Sequence, residues 1–177
     1  MNKIHKKFVD IFKRYFILLA VSFPSFWIFY FILTPLTVYP VFYIIGIFFD
    51  TILLKNTIII NNEVPIELIR SCIAGSAYYL LLVLNLSIPN IKLKKRLKMI
   101  FISFAALLAI NIIRIVLLSF IFLGSFTFFV TAHQFLWYFM STIFVVMIWF
   151  SEVKFFKIKE IPFYSDLKFL HKHSILK

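Results

Sequence analysis

Residues 99–121 read MIFISFAALLAINIIRIVLLSFI, and this stretch decides the class of the fold. At about 1.5 Å of rise per residue it is long enough to cross the roughly 30 Å hydrocarbon core of a bilayer. One charge interrupts it, Arg114. An arginine near the centre of a span costs roughly 2.5 kcal/mol or more on insertion scales. Chains retain such a charge where it faces a bundle interior or a polar cavity, so Arg114 marks a place to look for function. Counted from Met99, Arg114 lies about 22 Å along its helix, in the outer third of the membrane.

The rest of the composition agrees with that class. The chain has 177 residues, is 63% apolar, and contains three glycines and 25 phenylalanines. That is too apolar for a soluble domain and fits a polytopic membrane protein. The net charge of +12 would suit a nucleic-acid binder, but the positions of the charges exclude it. Sixteen of the nineteen Lys and Arg fall in residues 3–14, 92–98 and 154–177, each flanking an apolar run. This is the positive-inside pattern and places all three segments in the cytoplasm, where anionic headgroups add to the anchoring. The apolar run 15–33 after the first basic cluster is long for a signal peptide and ends without a small-x-small cleavage site, so it reads as a retained span. A single cysteine excludes an internal disulfide.

Four crossings follow, at about 12–33, 72–90, 99–121 and 133–151. The loop KLKKRLK at 92–98 holds five positive charges in seven residues and fixes their orientation. With both termini inside, residues 35–71 lie outside. The segment 35–50, PLTVYPVFYIIGIFFD, is apolar but short and proline-broken, which predicts an interfacial or re-entrant helix. Ile-rich runs flank Asn61-Asn62 and predict a short hairpin, because Asn tolerates positive φ in tight turns. Trp137 with Tyr138, and Tyr78 with Tyr79, are expected as interfacial anchors. The expected fold is thus an all-α polytopic membrane protein, with one transmembrane domain over 1–151 and a basic cytoplasmic tail over 152–177.

This topology brings three polar residues to the outer side. Cys72 begins its helix, Arg114 is in the outer third of the next, and His133 begins the last. At a helix N-terminus the dipole favours thiolate, and Arg70 two residues upstream would add to that. The bland alternative is a small packing cysteine beside Ala74 and Gly75. Arg114 could stabilise a developing oxyanion, with Asn111 on the same helix face to orient it. Alternatively it snorkels, or pairs with Glu63 or Glu67. His133 could serve as general base and then general acid, or be an interfacial histidine with no chemical task. Cys72, Gly75, Ser76 and Tyr79 follow i, i+3, i+4, i+7 spacing, a pattern for close helix packing. Asn85 reads as an interhelical hydrogen-bond contact. His5, His171 and His173 lie in cytoplasmic segments and lack a cysteine partner. Glu63 and Glu67 as an acid pair have nothing else in their favour.

The pieces resemble, in order, the exosortase/archaeosortase family of membrane cysteine transpeptidases. The run NTIIINNEVPIELIRSCIAG (56–75) is similar to the family's outer segment with its cysteine. NIIRIVLL (111–118) resembles its Asn-x-x-Arg helix, and AHQF (132–135) its histidine. A Thr-Pro-Leu-Thr segment (34–37) precedes them, and CIAGSAYYLL looks most like the small archaeal, pacearchaeosortase-like branch. Ile73 departs from the Ser or Thr usual after the family's cysteine. The resemblance implies catalytic roles for Cys72, Arg114 and His133. It also implies surface-protein substrates carrying a C-terminal sorting signal, made of a short motif, a transmembrane helix and a basic tail. No metal or organic cofactor is implied. Two other readings remain at this point. One is a non-enzymatic transporter or assembly protein in which Arg114 binds an anion or a partner. The other is an intramembrane hydrolase releasing a free acid.

Overall fold

A computed structural model describes residues 3–89, 91–137 and 141–158. It is mostly helical. The helices are α1 (Lys3–Gly46), α2 (Arg70–Ile73), α3 (Gly75–Ser87), α4 (Leu93–Gly124), α5 (Phe126–Phe135) and α6 (Ser141–Phe155). Between α1 and α2 lie three strands, β1 (Thr51–Leu54), β2 (Thr57–Ile60) and β3 (Val64–Glu67). Two helices are long and apolar enough to cross a membrane, α1 through its stretch Phe29–Gly46 and α4 along its whole length.

α4 contains the expected span 99–121 and extends it at both ends. The first 46 residues differ from expectation. There is no separate interfacial helix over 35–50. α1 runs unbroken for 44 residues through Pro24, Pro35 and Pro40. Membrane-spanning helices tolerate prolines, and two of the three, Pro35 and Pro40, fall in the stretch Phe29–Gly46 that is apolar enough to cross. The expected span 12–33 lies within the same helix. In the run expected to cross at 72–90, α3 spans 13 residues; the run 133–151 holds the end of α5 and most of α6, with residues 138–140 between them outside the described residues. α6 continues to Phe155, so Glu152 belongs to a helix and not to the tail. Tyr138 and residues 159–177 lie outside the described residues.

The Asn61-Asn62 turn forms as expected, with φ of 51° and 56°, and joins β2 to β3. β1 adds a third strand, giving an antiparallel meander in the order β1-β2-β3. Ile58 and Ile60 of β2 are fully buried and pack with Val38, Val41 and Ile45 of α1 and Ile115 of α4. The sheet is therefore held on the C-terminal end of α1 and the C-terminal half of α4 by its apolar face. A second apolar cluster joins Leu33, Tyr78, Leu81, Leu107 and Val145, tying α1, α3, α4 and α6 together. Tyr78 is not an interfacial anchor. It is 0% exposed, with its ring edge-on to Phe104 at 5.2 Å.

The end of the bundle at the start of α4 is closed by polar contacts. Asn85 of α3 donates from Nδ2 to Glu152 Oε2 of α6 at 3.1 Å and to Ser103 Oγ of α4 at 3.3 Å. Arg96 donates to the Ile88 carbonyl at 2.7 Å and Lys95 to the Phe156 carbonyl at 2.8 Å. Asn85 is thus the interhelical contact its sequence position predicts, and the basic segment 92–98 ties the ends of α3 and α6 to the start of α4.

Candidate functional site

At the opposite end of α4, about 16 Å from Ser103 by helical rise, Arg114 borders a cavity of about 260 Å3. Its walls come from four parts of the chain: Pro65–Ile69 from β3 to the start of α2, Cys72 of α2, Arg114, Ile115, Leu118, Ser119 and Phe122 of α4, and Phe129 and His133 of α5. Cys72, Arg114 and His133 therefore face one space, although 61 positions of sequence separate the first from the last.

Local structure explains each placement. Cys72 does not start a long helix. α2 is a single turn, and Ala74 breaks it from α3 with φ 58° and ψ 33°. A left-handed alanine costs about 1–3 kcal/mol, strain of the kind that collects at functional sites. The break turns α3 away and leaves Cys72 on its own turn over α4. Asn111 holds that turn, donating from Nδ2 to the Cys72 carbonyl at 2.8 Å. Beyond the role expected for it beside Arg114, Asn111 fastens the cysteine's backbone. Gly75 beside it gives Tyr30 room, since a Cβ there would lie 2.9 Å from Tyr30 Cζ and the ring would have to shift. The small-residue spacing thus admits α1 itself at this position.

Arg114 is 6% exposed, buried against the protein and not extended to its surface. His133 sits in the last turn of α5 and not at the start of the final helix. Phe129, one turn earlier, stacks on its ring at 5.5 Å and 23°, which fixes the plane of the imidazole. Burial raises the Cys72 thiol from its ordinary value, while the Arg114 charge and bonds to Ile69 and Ser71 pull it back. Burial, then the Arg114 charge, lowers the His133 imidazole. The resting pair is a thiol with a neutral imidazole, so burial outweighs the thiolate preference expected from a helix N-terminus.

Arg70 does not join this group. Its guanidinium lies over the Tyr30 ring at 5.7 Å. There it borders a separate cleft of about 530 Å3, also lined by Ser76, Ala77 and Thr142. The reason is direction: on a one-turn helix, residues two apart point to different sides. Of the two carboxylates weighed from the sequence, Glu67 lines the cavity. Glu63 is in the β2–β3 turn, where its N–H donates to the Ile60 carbonyl.

Sequence reasoning did not single out Ser119, Phe129 or the Pro65–Ile69 wall. Ser119 and Phe129 carried a usable signal, since Ser119 is five residues past Arg114 and Phe129 is one turn before His133. Glu152 was also missed, although a carboxylate at the end of an apolar run is a visible anomaly.

No protein-family model, curated protein or solved structure matches this chain.

Proposed function

We propose that the protein is a membrane-embedded cysteine transpeptidase or peptidase that removes C-terminal sorting signals from surface proteins at the outer membrane face. The observation that carries this reading is the single cavity bordered by Cys72, Arg114 and His133. A nucleophile, a base and a fixed cation on one small space are the parts that acyl transfer needs. The order and spacing of the motifs, which resemble the exosortase/archaeosortase family, point the same way.

The steps follow from the chemistry of the three groups. His133, neutral at rest, takes the Cys72 proton as Sγ attacks a backbone carbonyl. Arg114 offsets the charge that develops on the carbonyl oxygen. The peptide C–N bond breaks, and the leaving amine carries away the proton held on His133. A thioester on Cys72 remains. An amine or a lipid-linked hydroxyl attacks it, His133 accepts that nucleophile's proton, and the proton returns to the departing thiolate. The cavity walls are apolar apart from these groups and Ser119, Glu67 and the exposed backbone. An extended substrate filling this apolar space would displace water from it, which favours transfer to a positioned acceptor over hydrolysis.

The test is co-expression with a surface protein that carries a C-terminal helix and basic tail, read by intact mass. Wild type is expected to remove the tail and Cys72→Ala to leave it. Arg114→Ala is expected to slow removal by roughly 10²–10³ if it is the main oxyanion donor. Tail removal at wild-type rate by either variant refutes the mechanism.

A further inference from the structure

The wall of the cavity opposite α4 has a feature that the three catalytic candidates do not explain. Five consecutive residues, Pro65 to Ile69, line it. A cavity lying against one face of a strand meets only alternate residues, because successive side chains point to opposite faces. A cavity that runs along the edge of a strand meets them all. β3 is such an edge: it pairs with β2 on one side, and no further strand pairs with it among the described residues.

The backbone directions on that edge follow from the register. Ile66 pairs with Ile58, and the Leu68 N–H donates to the Asn56 carbonyl at 2.9 Å. The even-numbered residues therefore turn their backbone groups toward β2, and the odd-numbered ones, Pro65 and Glu67, turn theirs away. Pro65 has no N–H to lose there, which is where a strand tolerates proline. The outward groups are the Pro65 carbonyl and both the N–H and the carbonyl of Glu67. That set of one donor between two acceptors is what an incoming extended chain can bond.

We infer that the β3 edge is the substrate-binding strand: an extended segment of the substrate polypeptide pairs with Pro65–Glu67 as a fourth strand and so delivers its scissile carbonyl to Cys72. This rests on the transpeptidase reading and adds how the peptide is held. The occupant is an extended polypeptide because the edge is continuous with the cavity that holds Cys72, five residues after Glu67. Main-chain pairing supplies affinity with little demand on sequence, and the apolar walls, Leu118, Phe122 and Phe129, select the side chain next to the bond. The larger cleft bordered by Arg70 and Ser76 is left for other parts of the substrate.

The test separates backbone from side chain. Glu67→Pro removes the outward N–H while sparing the bonds to β2, and Glu67→Ala keeps the N–H and removes the carboxylate. With the tail-bearing surface protein as probe, Glu67→Pro is expected to process at least tenfold more slowly than Glu67→Ala, with both melting within a few degrees of each other. Equal rates overturn the inference and leave the transpeptidase reading intact. Should Glu67→Pro fail to fold, a photo-crosslinking phenylalanine derivative at position 67 in a Cys72→Ala background gives a second readout. An adduct with the probe is expected from position 67, and an adduct from position 76 with none from 67 overturns the proposal. A wild-type enzyme that leaves every tail in place removes the reading on which this rests, and the inference with it.

Discussion

Asn111→Ala tests whether the Cys72 turn is held from α4. Asn111 is 3% exposed, and its Nδ2 is 2.8 Å from the Cys72 carbonyl. The substitution removes a side chain–backbone bond with a net worth of about 1 kcal/mol and leaves a partly buried carbonyl without that donor, at about 1–3 kcal/mol. The expected loss of stability is about 1–3 kcal/mol in total, or roughly 2–4 °C in melting temperature per kcal/mol for a chain of this size. Activity should fall further than stability. The bond fixes Cys72 relative to Arg114, since it joins the cysteine's own carbonyl to the helix that carries the arginine. A misplacement near 1 Å can cost about a hundredfold in rate. The measurement pairs thermal unfolding in detergent with the processing rate well below the variant's melting temperature. Asn111→Asp replaces the donor with an acceptor facing a carbonyl, and is expected to be at least as damaging. A stable Asn111→Ala enzyme that processes at wild-type rate refutes the positioning argument.

Other outcomes follow from the same geometry. Gly75→Ala places a Cβ 2.9 Å from Tyr30; a loss of about 1–3 kcal/mol is expected from overpacking, and relief of that loss by a second change, Tyr30→Ala, confirms the contact by thermal unfolding. Asn85→Ala removes the bonds to Glu152 and Ser103 and leaves a buried carboxyl without that partner, so a loss of about 2–3 kcal/mol is expected with the reactivity of Cys72 toward an impermeant alkylating reagent unchanged. The pH profile of processing has a defined sign. His133 must be neutral to accept a proton, and its pKa lies below the ordinary 6.5, so the acid limb is expected below pH 6.5. Alkylation of the free enzyme is expected to keep rising past pH 9, since the thiol is raised from its ordinary 9.0.

What was legible in the sequence was mostly what one residue can report about itself. Arg114 announced its burial because a charge in an apolar run has few places to go. Asn61-Asn62 announced its turn because few residues accept positive φ. The order of Cys72, Arg114 and His133 along alternating segments was enough to bring them to one end. What was hidden depends on neighbours. Proline normally ends a helix, yet α1 continues through three of them. The break at Ala74 carries no sequence mark, since alanine is a strong helix former and the left-handed turn is imposed by packing. Arg70 looked close to Cys72 along the chain, but the direction of a one-turn helix sends it to Tyr30. Tyr78 looked like an anchor because tyrosine favours interfaces, and four packed helices bury it instead. β1 went unseen because TILL pairs only through β2, whose Ile58 and Ile60 face the helices.

The most direct test of the central claim is to look for the thioester. Wild-type protein is incubated with a tail-bearing surface protein, quenched in acid and measured by intact mass. An adduct on the peptide containing Cys72, matching the substrate up to the cleaved bond and released by hydroxylamine, is what the account predicts. Tail removal with no hydroxylamine-sensitive mass on Cys72 at any time, or an undiminished rate in Cys72→Ala, would contradict it.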